Sequence, residues 1–157
     1  WLLRGFIILL VFVLVSKWHE RDLVQTNSLA PSFDLNSIYG EPYSLENYRG
    51  KRVLLFFFAP WCKICDLNVE NINFLSKLID EKFQILAIAL SYEESENIYN
   101  FIERTKIGFP VLLGTKDQIR TYKISAFPTF YIINKNGFIV SNTVGYTSTL
   151  GLLLRTL

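Results

Sequence analysis

Seven apolar residues in a row, Val53-Leu54-Leu55-Phe56-Phe57-Phe58-Ala59, end at Pro60 and run straight into Trp61-Cys62-Lys63-Ile64-Cys65. A run without alternation fits a central strand that is covered on both faces. Pro60 breaks it, because proline brings no N–H to the next rung of the ladder. A helix is predicted to begin near Cys62, with an apolar stripe of Ile64, Leu67, Leu75 and Leu78 flanked by Ile72 and Ile79. The only two cysteines of the chain therefore fall where a buried strand turns into a helix.

The rest of the pattern fits around that unit. Residues 32–35 and 41–45 flank Gly40 and read as a short hairpin. Residues 84–90 form a second buried strand. Ser91 with Glu94 resembles a capping box for a helix carrying Ile98, Phe101 and Ile102, and Gly108 and Pro110 end that element. A short strand at 111–113 and a short helix at 117–122 come next. Strands at 129–133 and 138–144 are joined through Asn136-Gly137, a strong hairpin signal. Thr147 or Ser148 caps a last helix carrying Leu150, Leu152, Leu153 and Leu154. Strand, helix, strand, helix, hairpin and helix make an α/β layout with a mixed sheet.

Composition narrows the function. Half of the 157 residues are hydrophobic, which excludes a disordered chain. The net charge of +2 comes without a basic cluster, so no nucleic-acid partner is expected. Two cysteines this close cannot brace a fold, because the loop they close is tiny. Half of a zinc site is the competing reading, but zinc needs four ligands and the single histidine is His19; no metal is expected.

Residues 5–16 are apolar on every side, unlike an amphipathic surface helix. With Trp1, Leu2, Leu3 and Trp18 the span approaches the roughly 20 residues a bilayer requires. Arg4 would sit near the inner headgroups, and Trp1 and Trp18 at the two interfaces. Residues 1–18 are therefore read as an N-terminal transmembrane anchor, or an uncleaved signal, since no small-x-small site follows Val15. Residues 19–30 read as a tether and 31–157 as the folded domain. An N-terminus held inside places that domain outside the cytoplasm.

The chemistry lies in the cysteine pair. Unpaired N–H groups and the macrodipole at a helix start favour negative charge. Cys62 is predicted at or near the N-cap, with a thiol pKa lowered from about 8.5 into the roughly 3.5–7.5 range of such sites. The thiolate attacks, so Cys62 is the expected nucleophile and Cys65, one turn on and more buried, the resolving thiol. Lys63 adds a cation beside the thiolate, at a cost of a few tenths of a kcal/mol against the dipole.

Several motifs together resemble one family. They are Phe57-Phe58-Ala59-Pro60-Trp61-Cys62-Lys63-Ile64-Cys65, Phe127-Pro128-Thr129, Asn136-Gly137, the hairpin from Phe33-Asp34-Leu35 through Gly40 to Ser44-Leu45, and Gly50-Lys51-Arg52-Val53-Leu54-Leu55-Phe56. The chain resembles the TlpA/ResA-like, membrane-anchored thiol–disulfide oxidoreductases. Its ending, Val144-Gly145-Tyr146-Thr147-Ser148, is similar to the ScsD-type subgroup. The likeness covers residue 30 to the C-terminus. It implies a thioredoxin-like fold: a central mixed sheet flanked by helices, an N-terminal β-hairpin and a central strand–helix insertion at roughly 85–106. Pro128, 66 positions after Cys62, would be the cis-proline facing the cysteines. Phe127 before it would offer backbone hydrogen bonds to an extended substrate, with Trp61 as a second substrate-binding residue. Two positions depart from the family pattern. Phe56 stands where thioredoxin has a buried Asp, and Asn68 where many ResA-like proteins have a Glu. Asp66 and Glu70 are left with Lys63 as pKa-tuning candidates, unless they form a solvated helix face.

The resemblance implies a protein-disulfide oxidoreductase with no cofactor beyond the Cys62–Cys65 disulfide. It would be held in the bacterial inner membrane, facing the periplasm or cell exterior, with a membrane thiol reductase as electron donor. The expected direction is reduction, in cytochrome c maturation, disulfide repair or stress protection. A net disulfide oxidase and a redox-inert thioredoxin-like adaptor are the alternatives.

Overall fold

The computed structural model describes residues 23–156 together with Arg4, Gly5, Ile7 and Val11. The expected anchor, apart from those four residues, and the first residues of the expected tether lie outside the described set. Among the described residues no helix is long and apolar enough to cross a membrane.

In chain order the elements are β1 (Asp34–Asn36), β2 (Pro42–Ser44), a 3-10 turn (Leu45–Tyr48), β3 (Arg52–Phe58), α1 (Lys63–Ser76), β4 (Phe83–Ala89), α2 (Ser95–Thr105), β5 (Val111–Leu113), α3 (Lys116–Thr121), β6 (Thr129–Ile133), β7 (Ile139–Val144) and α4 (Thr149–Thr156). The main sheet has the order β5-β4-β3-β6-β7, and β1-β2 form a separate hairpin. β3 runs parallel to β4 and antiparallel to β6. This is the mixed sheet and N-terminal hairpin expected of a thioredoxin-like fold. The central stretch beyond β3 and α1 is filled by β4 and α2, with β5 at the edge.

The uniform apolarity of β3 is resolved by the pleat. Leu54, Phe56 and Phe58 enter a front core with Cys65, Val69, Ile72 and Leu75 of α1, Ile98 and Phe101 of α2, and Leu152 of α4. Val53, Leu55 and Phe57 enter a back core with Tyr122, Tyr131, Leu23, Phe33 and Leu35. The described part of the stretch read as a tether lies on that back face. Leu29 bridges Phe138, and the Ala30 N–H donates to the Gly137 carbonyl at 2.9 Å.

Three local expectations change. First, the inner face of α1 is Cys65, Asn68, Val69, Ile72 and Leu75. Ile64, Leu67 and Leu78, expected in the apolar stripe, are 46%, 56% and 54% exposed. Burial of Cys65 sets the phase of the helix, and Leu78 lies past its end at Ser76. Second, α2 is capped at Glu94 in a reciprocal box with Asn97, not at Ser91. Ser91 has a left-handed φ of 52°, which turns the chain out of β4 before a helix can start. Third, of the four leucines assigned to the last helix only Leu152 is fully buried, while Leu150 and Leu154 lie on its outer side. The cap of that helix is Ser148, whose Oγ accepts from the Gly151 N–H at 3.2 Å. The β6–β7 turn closes by the Gly137 N–H on the Asn134 carbonyl at 2.9 Å. At Gly137 φ is +84°, a conformation glycine adopts without a Cβ clash.

Candidate active site

Pro60 ends β3, and the chain turns once before α1 begins. The Cys62 N–H donates back to the Ala59 carbonyl at 3.0 Å, and Cys62 takes the N-cap in extended conformation (φ −83°, ψ 107°). From there its Sγ accepts the Cys65 N–H at 3.3 Å. A serine-like cap is thus made with sulfur, which shares the Cys65 N–H with the Cys62 carbonyl at 3.0 Å. Cys62 and Cys65 form a disulfide with Cα atoms 5.2 Å apart. Cys62 keeps 7% exposure, and Cys65 is sealed at 0%. Cys62 is thus the more accessible member of the pair, with Cys65 one turn further into α1.

The opposite wall comes from the start of β6. Thr129 pairs with Phe57, which brings the turn before it to the end of β3 where the cysteine loop leaves the sheet. The Phe127–Pro128 peptide is cis. Pro128 is buried, and its carbonyl accepts the Gly145 N–H at 2.8 Å. The Trp61 and Phe127 rings meet edge to face at 5.8 Å, and the Trp61 indole N–H donates to the Ser91 carbonyl at 2.9 Å. Trp61 remains 66% exposed. The fold thus sets Trp61, next to Cys62, against Phe127, next to the cis Pro128.

The charged candidates separate. The Lys63 side chain projects into solvent and reaches Asp66 only at 3.8 Å. Asp66 is held instead by Arg104 of α2, whose Nη2 and Nε donate to its two carboxylate oxygens at 2.9 and 3.1 Å. The same guanidinium donates to the Pro60 carbonyl at 3.1 Å and lies over the Phe101 ring at 5.4 Å. Glu70 is exposed on the outer side of α1. Arg104 was not a sequence candidate. It stands 38 positions from Asp66 outside any motif, and only the packing of α2 across α1 joins them.

The two departures from the family pattern have structural partners. Phe56 is stacked between Phe58 and Phe130, at 5.4 and 5.2 Å. Asn68 is buried; its amide donates to the Ile64 carbonyl and its oxygen accepts from the Thr147 N–H, both at 2.9 Å. It ties the middle of α1 to the loop before α4 and carries no ionisable proton. A cleft of about 380 Å³ opens beside Trp61, lined also by Pro60, Tyr92, Asn97, Asn100 and Arg104. Burial holds the Tyr92 phenol above its ordinary range, so it is neutral there. Among the described residues no group of three or more His, Cys, Asp or Glu is placed to hold a metal ion. The Cys62–Cys65 pair itself offers dithiol–disulfide chemistry.

The chain is similar to known proteins. The sequence model of the AhpC/TSA family matches residues 26–142. The thiol–disulfide oxidoreductase ResA of Geobacillus thermodenitrificans (strain NG80-2) is 34% identical over 75% of this chain and 68% of its own length. The thioredoxin-like protein YneN of Bacillus subtilis (strain 168) is 34% identical over 78% of this chain and 73% of its own. Among solved structures, a thiol:disulfide interchange protein of the thioredoxin family from Chlorobium tepidum TLS superposes with a TM-score of 0.74 at 26% identity, covering 85% of this chain and 96% of that one. StoA from Bacillus subtilis, at 23% identity, superposes with a TM-score of 0.71 over 82% of this chain and 98% of its own.

Proposed function

The chain belongs to the AhpC/TSA family, with the ResA thiol–disulfide oxidoreductases among its relatives, and is a protein-disulfide oxidoreductase; from that premise we propose that it reduces disulfides of extracytoplasmic proteins through Cys62 and Cys65. One observation carries the reading. Both sulfurs lie at the first turn of α1, with Cys62 as the N-cap and the Cys65 N–H directed at its sulfur.

In the reduced enzyme the Cys62 thiolate attacks one sulfur of a substrate disulfide. A mixed disulfide forms and one substrate thiolate leaves. Cys65, as thiolate, then attacks the Cys62 sulfur, which closes the enzyme disulfide and releases the second substrate thiolate. Two electrons pass to the substrate, and two protons follow to its thiols. Asn68 and Phe56 cannot take the Cys65 proton, and the Asp66 carboxylate is already engaged by Arg104, so water receives it.

Trp61, Phe127 and Pro128 frame the rim against which an extended substrate segment lies. Phe127 offers its backbone and Trp61 its exposed ring. The apolar residues 5–16 anchor the domain in the bacterial inner membrane, with the catalytic face in the periplasm or cell exterior. Glutathione does not buffer the periplasm, so the electrons come from a membrane dithiol reductase.

Insulin reduction with dithiothreitol tests the core of this reading. Cys62→Ser is expected to abolish catalysis. Cys65→Ala is expected to accumulate a mixed disulfide, which mass spectrometry of the trapped species identifies. Catalysis that survives Cys62→Ser sinks the reading. The reduction potential decides direction: a value near about −270 mV supports a reductase, and one near about −120 mV an oxidase.

A further inference from the structure

Asp66 presents a difficulty for a site built to hold an anion. It follows Cys65 directly and lies in the first turn of α1, where its N–H reaches the Cys62 carbonyl at 3.4 Å. A free carboxylate there would compete with the Cys62 thiolate for the positive end of the helix and would repel it. The structure answers with Arg104. Its guanidinium takes both carboxylate oxygens in a two-point pair, the geometry that fixes a carboxylate in direction as well as charge. Its second contact, to the Pro60 carbonyl, pins the turn that leads into Cys62. Arg104 is itself backed by Phe101, which stacks on Phe58 at 4.4 Å, so the clamp is seated on the front core.

We propose that Arg104 is a positioning residue that sets the redox poise of the Cys62–Cys65 pair by neutralising and turning away the Asp66 carboxylate. Among the described residues, the ionisable side chains on the elements beside the pair include Lys63 and Asp66 on α1, Arg104 on α2, Tyr92 and Glu93 in the loop after β4, where both line the cleft beside Trp61, and the exposed Tyr146 in the loop whose neighbours bond Pro128 and Asn68. The turn at 126–128 brings none. Lys63 is 83% exposed and sits at 3.8 Å, so solvent screens it and it cannot replace Arg104. In the first turn of α1 the carboxylate is Asp66, and the guanidinium bound to it is that of Arg104.

This inference rests on the reading of Cys62 as the nucleophile, and it predicts opposite signs for its two members. In Arg104→Gln the carboxylate is uncompensated. The Cys62 acid constant falls by about threefold to tenfold, because a like charge disfavours the anion. The dithiol–disulfide equilibrium moves by the same factor toward the disulfide, which is about 15–30 mV more negative. In Asp66→Asn the guanidinium is left unbalanced, and both quantities move the other way. The double variant Arg104→Gln/Asp66→Asn returns to within about twofold of the parent, because the two sites are coupled.

Equilibration of the full chain with dithiothreitol buffers, followed by Trp61 fluorescence, measures the equilibrium. Iodoacetamide alkylation against pH measures the Cys62 acid constant. A purely structural clamp would lower thermal stability in both single variants and leave the signs equal. Potentials that do not move, or that move in the same direction in Arg104→Gln and Asp66→Asn, overturn the proposal. Cys62→Ser is run beside them. Exchange that persists in Cys62→Ser overturns the reading of the nucleophile, whereas a silent Cys62→Ser with unmoved Arg104 and Asp66 variants overturns this inference alone.

Discussion

The two faces of the central sheet are built from alternate residues of the same strands, yet they are finished differently. On the front, Leu54, Phe56 and Phe58 lie under α1, α2 and α4, and the layer rises to an open rim that carries Cys62, Trp61 and an ion pair. On the back, Val53, Leu55 and Phe57 are closed over by the hairpin, Tyr122 and the segment from Leu23 to Phe33. The phenols there are spent on backbone. The Tyr131 hydroxyl donates to the Tyr122 carbonyl and the Tyr122 hydroxyl to that of Pro31, each at 2.5 Å. The Val24 N–H in turn donates to the Tyr131 hydroxyl at 3.1 Å. One face holds charges near its surface that can be retuned cheaply. The other holds neutral groups whose partners cannot be removed without a stability cost.

The largest effects should test whether the faces are equal as cores and unequal as chemistry. Phe57 is fully buried and touches the rings of Tyr122 and Tyr131 at 4.9 and 6.0 Å. Phe57→Ala is expected to cost about 3–5 kcal/mol in urea unfolding, and Leu75→Ala, on the front, about 2–5 kcal/mol. The reduction potential of Phe57→Ala should match the parent. A shifted potential would break the separation of the faces.

Next in size is Tyr131→Phe, at about 1–3 kcal/mol, because it strands the Val24 N–H and the Tyr122 carbonyl. Burial pushes the Tyr131 phenol up to about 12 from its ordinary 10.0. Between those values the unfolded chain has released the proton and the folded one has kept it. Stability therefore falls as pH rises from about 10 and the loss is complete above about 12; below about 10 this group adds no pH dependence. Burial raises the Tyr122 phenol as well, so some alkaline loss persists in the variant. Urea midpoints of the two proteins measured between pH 9 and pH 12 should show a shallower decline for Tyr131→Phe. Parallel declines would mean that the back-face phenol is wet.

How much of this was legible in the sequence depended on whether the deciding interaction was local. The strand under the site could be read because an unbroken apolar run stopped by proline admits few alternatives, and Thr129–Ile133 emerged at its expected bounds for the same reason. The cysteines could be placed at the helix start because cap, dipole and sulfur all lie within four residues. The helix cap at Glu94 was missed because a serine followed by an acid three residues on satisfies the local rule, while the left-handed turn at Ser91 answers to the sheet it leaves. Arg104 was invisible because its partner is on another helix. Asn68, a missing acid by the family pattern, is a buried tie between α1 and the loop before α4 that no local rule signals.

The smallest expected effect bears on the same limit. By spacing alone, Ile64, Leu67, Leu75 and Leu78 form one stripe, and nothing in their chemistry separates Leu67 from Leu75. The fold does separate them. Leu75 is sealed in the front core, whereas Leu67 is 56% exposed on the outer side of α1. An exposed leucine has little apolar area left to lose, and alanine is the better helix former. Leu67→Ala is therefore expected to change stability by less than about 0.5 kcal/mol. The reason is the phase of α1: Cys65 must be inside to wait for the Cys62 sulfur, and that choice turns residues 64 and 67 outward whatever their apolarity. A loss above about 2 kcal/mol in urea unfolding of Leu67→Ala would mean that a partner surface covers this side of the helix, and the front face would then be closed over like the back.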